Sequence, residues 1–291
     1  MLGLLPFSVS IEKEWVIRLP VFLNLLTAVA ALLVACRMTE SRTERVRPAR
    51  LREVFRETNA LASGTLTAGK WILREPAALL LLLVGVAFDS IVRLFLTLAS
   101  EYYRLLDIDP GWFGVIGAGM AMLGFALSGV MERMAAKGSP LRNFQIVGAM
   151  ILFGSLSLGF PMAIWGVFLV LPLALAIRFT QFFLSHYLNE VTESHQRATV
   201  LSFRGVSLNI GYGLAMGVFG LVSVVLPHLP AFAGAAPDRI FGAALLTIPL
   251  LFVLLLAALV AVKQLVNRRP LDELVAEARL RVDAAPDETD S

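Results

Sequence analysis

Long apolar blocks, almost uninterrupted by charge, constrain this chain more than any other feature. A helix of 18 or more apolar residues, rising about 1.5 Å per residue, crosses the roughly 30 Å hydrocarbon core of a bilayer. A water-soluble domain alternates apolar and polar positions at a period of 2 or 3.6 and carries about a quarter charged residues. Here 57% of the 291 residues are hydrophobic and only 16% are charged. The expectation is an all-α, polytopic membrane protein with about seven transmembrane helices. Its first partner is then the lipid bilayer, and nucleic acid is not expected as one. Cys36 is the single cysteine, which excludes an intrachain disulfide framework and any multi-cysteine metal site.

The blocks, lettered in chain order, predict helix A over Trp15–Cys36, B over Pro76–Ser100 and C over Trp112–Met131. One stretch, Asn143–Leu184, is too long for a single crossing. It divides into helices D and E at Gly159-Phe160-Pro161, because proline starts a helix well and interrupts one badly. Helix F covers Ala198–Leu226 and helix G Ile240–Val262. Residues 1–10 are apolar but too short to span. With no basic stretch before them and no cleavage site after, they read as the end of a helix whose beginning is missing.

Lys and Arg in the loops set the orientation. Nine basic residues lie between Arg37 and Glu75, among them Arg42, Arg45, Arg47, Arg50, Arg52 and Arg56. With this segment on the cytoplasmic side, alternation also puts Arg133, Lys137, Arg142, Arg197, Arg204, Lys263, Arg268 and Arg269 inside. Only Lys13, Arg18, Arg104 and Arg239 lie outside. The chain is thus expected to be multi-pass in a cell membrane, of the bacterial inner-membrane kind, with its C-terminus cytoplasmic. Within the inner loop, Leu51, Val54, Phe55, Thr58, Leu61 and Ala62 recur at helical spacing. They predict an amphipathic helix on the membrane surface that ends where Trp71 meets the interface. The resulting divisions are 1–36 (apolar segment and first helix), 37–75 (basic loop), 76–269 (six-helix bundle) and 270–291 (cytoplasmic tail, a short helix and then a frayed end).

Six crossings after a long basic loop, with both ends of that unit inside, carry a likeness. So do Arg74-Glu75-Pro76 entering helix B, Gly129-Val130-Met131-Glu132-Arg133 followed by Lys137 in the C–D turn, and Arg197-Ala198-Thr199-Val200-Leu201-Ser202-Phe203 opening helix F. In these features the chain resembles the C-terminal half of a major facilitator superfamily (MFS) transporter together with the preceding helix. The C–D turn is similar to that family's Gly-x-x-x-Asp-Arg-x-Gly-Arg-Arg motif. It departs from it at Glu132 and at Ala135 and Ala136. The resemblance implies a six-helix bundle of two inverted three-helix repeats, B–C–D and E–F–G, plus one extra N-terminal helix. It implies transport of a small solute by alternating access. It also implies a truncated or split transporter whose N-terminal half is a missing partner.

Charge at mid-bilayer costs at least a few kcal/mol and is kept away from lipid. Helices C, D and G carry none across their centres, whereas B carries Asp89 and Arg93, and E carries Arg178 and Gln181. In the family the helices matching B and E line the substrate cavity, and those matching D and G face lipid. Asp89 and Arg93 are four apart and share a helix face. They form either a self-neutralising pair that eases insertion or a site for substrate or proton coupling. Arg178 either snorkels to the headgroups from about two turns inside helix E or binds an anion opposite Asp89. Asn209 is a hydrogen-bonding candidate on helix F. Gly213 and Gly217 form a G-x-x-x-G that permits close helix packing, with a substrate-driven hinge as the other reading. Gly129, Glu132, Arg133 and Lys137 are expected to latch neighbouring helix ends as the family's turn motif does. His186, His195, Glu190 and Glu193 flank one loop and read either as a metal cluster or as a solvated turn; no metal is expected. No Gly-x-Ser-x-Gly, His-Glu-x-x-His or Walker-type loop occurs, so neither enzymatic activity nor a cofactor is expected. A non-transporting remnant that acts as a membrane assembly partner is the competing reading, and the substrate is not specified.

Overall fold

The computed structural model describes residues 22, 25–34, 37, 69–193 and 196–284. The chain divides into two units, Met1–Arg56 and Glu57–Ser291. In the first unit, helix α1 (Leu25–Val34) is apolar and exposes Leu25, Leu26, Leu32 and Leu33. The remainder of helix A and most of the basic loop, with its expected amphipathic helix, lie outside the described residues.

Every secondary-structure element described in the second unit is a helix. A short helix, α2 (69–74), leads into α3 (Pro76–Leu105). There follow α4 (Phe113–Ala126), α5 (Ser128–Lys137), α6 (Pro140–Ser157), α7 (Ala163–Glu190), α8 (Arg197–Val225), α9 (Pro237–Leu245), α10 (Thr247–Val266) and α11 (Leu271–Asp283). Local chemistry sets the ends. Pro76, Pro140 and Pro237 open α3, α6 and α9, where a fixed φ suits the first turn and no backbone donor is lost. Ser139 Oγ accepts the Arg142 N–H and caps α6. At the far end of α3, the Ile108 N–H donates to the Tyr103 carbonyl and the Asp107 N–H to that of Arg104. This is a Schellman closure, and Asp107 takes the left-handed position with φ 56°.

Five stretches are long and apolar enough to cross a membrane: Pro76–Leu105, Pro110–Lys137, Trp165–Glu190, Arg197–His228 and Pro237–Val266. Apolar side chains such as Met122, Phe125, Leu214, Leu221 and Leu250 are exposed on them. These are the features of a polytopic, all-helical membrane protein. About seven crossings were expected, and among the described residues five helices qualify. The 18-residue α6 is the intermediate case, because Arg142, Asn143 and Gln145 occupy its opening turns.

α3 is the hub and packs against α6, α7, α8, α10 and α11. α7 packs in turn against α3, α4, α5, α6 and α11. Helices B and E of the sequence reading therefore lie together at the centre. Glycines permit close approaches between helices, among them Gly85 of α3, where a Cβ would press on the end of the Leu184 side chain of α7. A Cβ at Gly154 of α6 would come within 2.5 Å of the Leu173 Cβ on α7. One at Gly211 of α8 would come within 2.5 Å of the Val86 Cγ1 on α3. Phe88 meets Phe144 and Phe252 edge-on and knits α3 to α6 and α10.

Several boundaries move. Helix B runs on to Leu105 and helix E to Glu190, while C and G each bend, at Leu127 and Leu246. The expected break between D and E falls at residues 158–162, as proposed. The tail is not a loose extension of the bundle. Leu271, Leu274, Val275 and Ala278 of α11 are buried against it.

Candidate functional site

Asp89 sits near the middle of α3 and is fully buried. One turn later, Arg93 brings its Nη2 within 2.6 Å of Asp89 Oδ2. Neither carboxylate oxygen has a hydrogen bond, so the contact is an ion pair by distance, held by charge. A second cation, Arg204 of α8, also acts electrostatically on Asp89. Its Nη1 donates to Ser185 Oγ of α7 at 2.6 Å.

Arg93 does more than neutralise Asp89. Its Nη1 donates to Asn209 Oδ1 at 2.8 Å, and its guanidinium lies over the Tyr212 ring, 5.3 Å from the centroid. The Tyr212 hydroxyl is 3.0 Å from Thr97 Oγ1, which itself donates to the Arg93 carbonyl. A polar strip thus joins α3 to α8 at the level where both helices are halfway along. Of the expected residues, the structure brings Asp89, Arg93 and Asn209 together. Tyr212 and Thr97 were missed, and Arg204 was read only as a topological charge. The available signal was spacing, since Tyr212 lies one turn beyond Asn209 and Thr97 one turn beyond Arg93.

Arg178 and Gln181 lie one turn apart on α7 and are not part of this strip. Arg178 is exposed and, among the described residues, has no ion pair or hydrogen bond; it does not pair with Asp89. α7 continues to Glu190, so Arg178 is twelve residues from that end, about 18 Å at 1.5 Å per residue. That is longer than the two turns expected, because helix E runs on past Leu184 to Glu190. The side chain lies across α4, where a Cβ on Gly124 would be 3.2 Å from Arg178 Cγ. It walls a groove between α3, α4 and α7 together with Leu96, Ser100, Tyr103, Phe113 and Met120.

Two further expectations are corrected. Glu132, Arg133 and Lys137, with Gly129, all fall on α5, and the three charged side chains are exposed without ion pairs among the described residues. The helix ends are tied by α11 instead. Arg281 pairs with Glu75 ahead of α3 at 3.0 Å, and Arg279 with Glu190 at the end of α7 at 2.6 Å. Asp272 Oδ1 accepts the Leu141 N–H in the first turn of α6 at 2.8 Å. Gly213 and Gly217 pack against no helix of this bundle, because a Cβ on either meets nothing within 4 Å. Gly211 makes the close approach in their place.

His186 is committed on two sides, with Nε2 3.4 Å from Glu190 and its ring stacked on Phe182. His195 lies outside the described residues. Among the described residues no group of three His, Cys, Asp or Glu side chains is placed to hold a metal. Comparison with family models, with curated proteins and with solved structures returns no match.

Proposed function

We propose that the chain is part of a secondary transporter of the major facilitator type, moving a small solute by alternating access across a bacterial inner membrane. The single observation that carries this reading is the placement of its polar side chains. Asp89, Arg93, Thr97, Arg204, Asn209 and Tyr212 gather on the central helices, while α10 keeps an uncharged centre. Polar groups within spans mark solute pathways, because lipid cannot solvate them.

The packing supports the inverted-repeat reading. α3 packs on α7, α8 and α10, and α7 packs on α3, α4, α5 and α6. The first helix of each proposed triple thus lies against the other triple, which puts the helices that carry Asp89, Arg93 and Arg178 at the interface between the proposed repeats. Exposed Arg178 and the open face around Gly213 and Gly217 are, on this reading, where a second bundle completes the pathway. The cytoplasmic side is the one that carries Arg133, Lys137, Arg142 and α11, following the bias of basic residues.

The test is uptake into membrane vesicles from the chain's native cells, which supply the second bundle, with its gene deleted and then restored on a vector, against a panel of labelled organic acids, sugars and amines. Saturable uptake above vector vesicles, abolished by Arg93→Gln, is expected. No uptake for any solute, or uptake indifferent to both Arg93→Gln and Arg178→Gln, refutes the reading. The purified chain alone in liposomes is expected to show no saturable uptake, because alternating access needs two bundles.

A further inference from the structure

Three arginines, Arg93, Arg178 and Arg204, lie within the described spanning helices α3, α7 and α8. Arg93 is spent on Asp89, Asn209 and Tyr212, and Arg204 donates to Ser185. Arg178 alone keeps a guanidinium with no partner among the described residues. It cannot shed that charge, since arginine stays protonated in proteins. A cation halfway along a spanning helix requires a counter-charge or a polar cavity.

The groove in front of it has a definite chemistry. Its volume is about 360 Å³, within the range of roughly 300–1,000 Å³ typical of small-molecule sites. Leu96 of α3 and Phe113 and Met120 of α4 make apolar walls. Ser100 and Tyr103 supply hydroxyls, and the Tyr103 O–H has only a distant sulfur contact, 3.9 Å to Met120 Sδ. Gly124 leaves room for the stem of Arg178 to lie flat against α4. The groove runs from Arg178, at mid-depth on α7, toward Tyr103 and Phe113, which flank the turn joining α3 to α4.

We propose that this groove takes a small organic monoanion, a carboxylate on an apolar body, with Arg178 as its counter-charge. Apolar walls hold the body, the guanidinium forms charge-assisted hydrogen bonds to the carboxylate, and the Tyr103 hydroxyl can exchange its weak Met120 sulfur contact for a further one. A cation is disfavoured, because Asp89, the acid deep in the described spanning helices, is buried and paired with Arg93. The proposal rests on the reading of the bundle as a solute-binding half of a transporter and assigns that solute's class.

The probe is benzoate, with benzylamine and benzyl alcohol as cationic and neutral counterparts of the same shape. Binding is measured by calorimetry on the full chain in phosphatidylcholine nanodiscs. Saturable heat with benzoate and none with benzylamine is expected. Arg178→Gln is expected to weaken benzoate binding about 10- to 100-fold, the value of a charged hydrogen bond, and Arg178→Lys to weaken it less. Equal binding of benzoate and benzyl alcohol, or no benzoate binding by the wild-type chain, overturns the assignment without recourse to variants. Abolition of benzoate binding when phosphatidylglycerol is added also overturns it, by assigning the groove to lipid. Because the assay involves no translocation, benzoate binding without uptake refutes transport alone. Uptake of a neutral or cationic solute without benzoate binding refutes the anion assignment alone.

Discussion

Removing Arg93 should harm the bundle more than removing Asp89, and the asymmetry comes from what each leaves behind. Arg93→Gln leaves a carboxylate with 0% of its side chain exposed and no hydrogen bond of its own. Stranding one member of a buried pair costs about 3–5 kcal/mol. Asp89→Asn leaves an arginine that is 29% exposed, bonded to Asn209 and stacked on Tyr212. Its loss is then about 1.5–3 kcal/mol, that of one charged contact. The double variant strands no charge and should lie below Arg93→Gln alone, so the two losses are far from additive. The assay is unfolding of the purified chain by a dodecyl sulfate titration in mixed micelles, followed by tryptophan fluorescence. Equal single losses that sum in the double variant would refute the pairing and leave Asp89 facing an aqueous cavity by itself.

The glycines offer a matched pair of tests by the same titration. Gly154→Val should destabilise by about 3 kcal/mol, because its Cβ would press on Leu173 and overpacking of a tight contact costs about 1–3 kcal/mol or more. Gly213→Ala and Gly217→Ala meet open space and should stabilise their helix by about 0.5–1 kcal/mol each; destabilisation would mean that this face is packed after all. For α11, Arg279→Gln should cost under about 1 kcal/mol, as exposed pairs do. Val275→Asp should instead release the helix, read as faster proteolysis at residues 267–270, because Val275 is buried.

The spanning helices were legible because lipid leaves a plain record: a run of apolar residues has no other use at that length. The break between α6 and α7 was legible for the same reason, since Pro161 is a local signal. Asp89 and Arg93 were legible as a pair because four residues on a helix is a fixed geometry. What the sequence hid is non-local. Nothing in the order of residues says that Asn209 and Tyr212 meet Arg93 across more than a hundred positions. The turn motif misled because its charges were credited with a latch made by Asp272, Arg279 and Arg281. Those three lie in a stretch whose mixed charge reads as solvated. The G-x-x-x-G misled because small residues permit an approach without requiring one, and the tight α3–α8 contact formed two residues earlier, at Gly211.

The two arginine environments divide the work within one bundle. Arg93 is bound on three sides and ties α3 to α8, so its charge serves cohesion first and any solute second. Arg178 lies against the flank of α4 and, among the described residues, has no ion pair or hydrogen bond. A membrane protein gains no stability from an unpaired cation in its span; the charge costs at least a few kcal/mol at insertion. A leucine at the same position would pack against Gly124 without that cost. The arginine is therefore explained by something that meets it only after the bundle is formed, and the groove beside it is where such a group can enter.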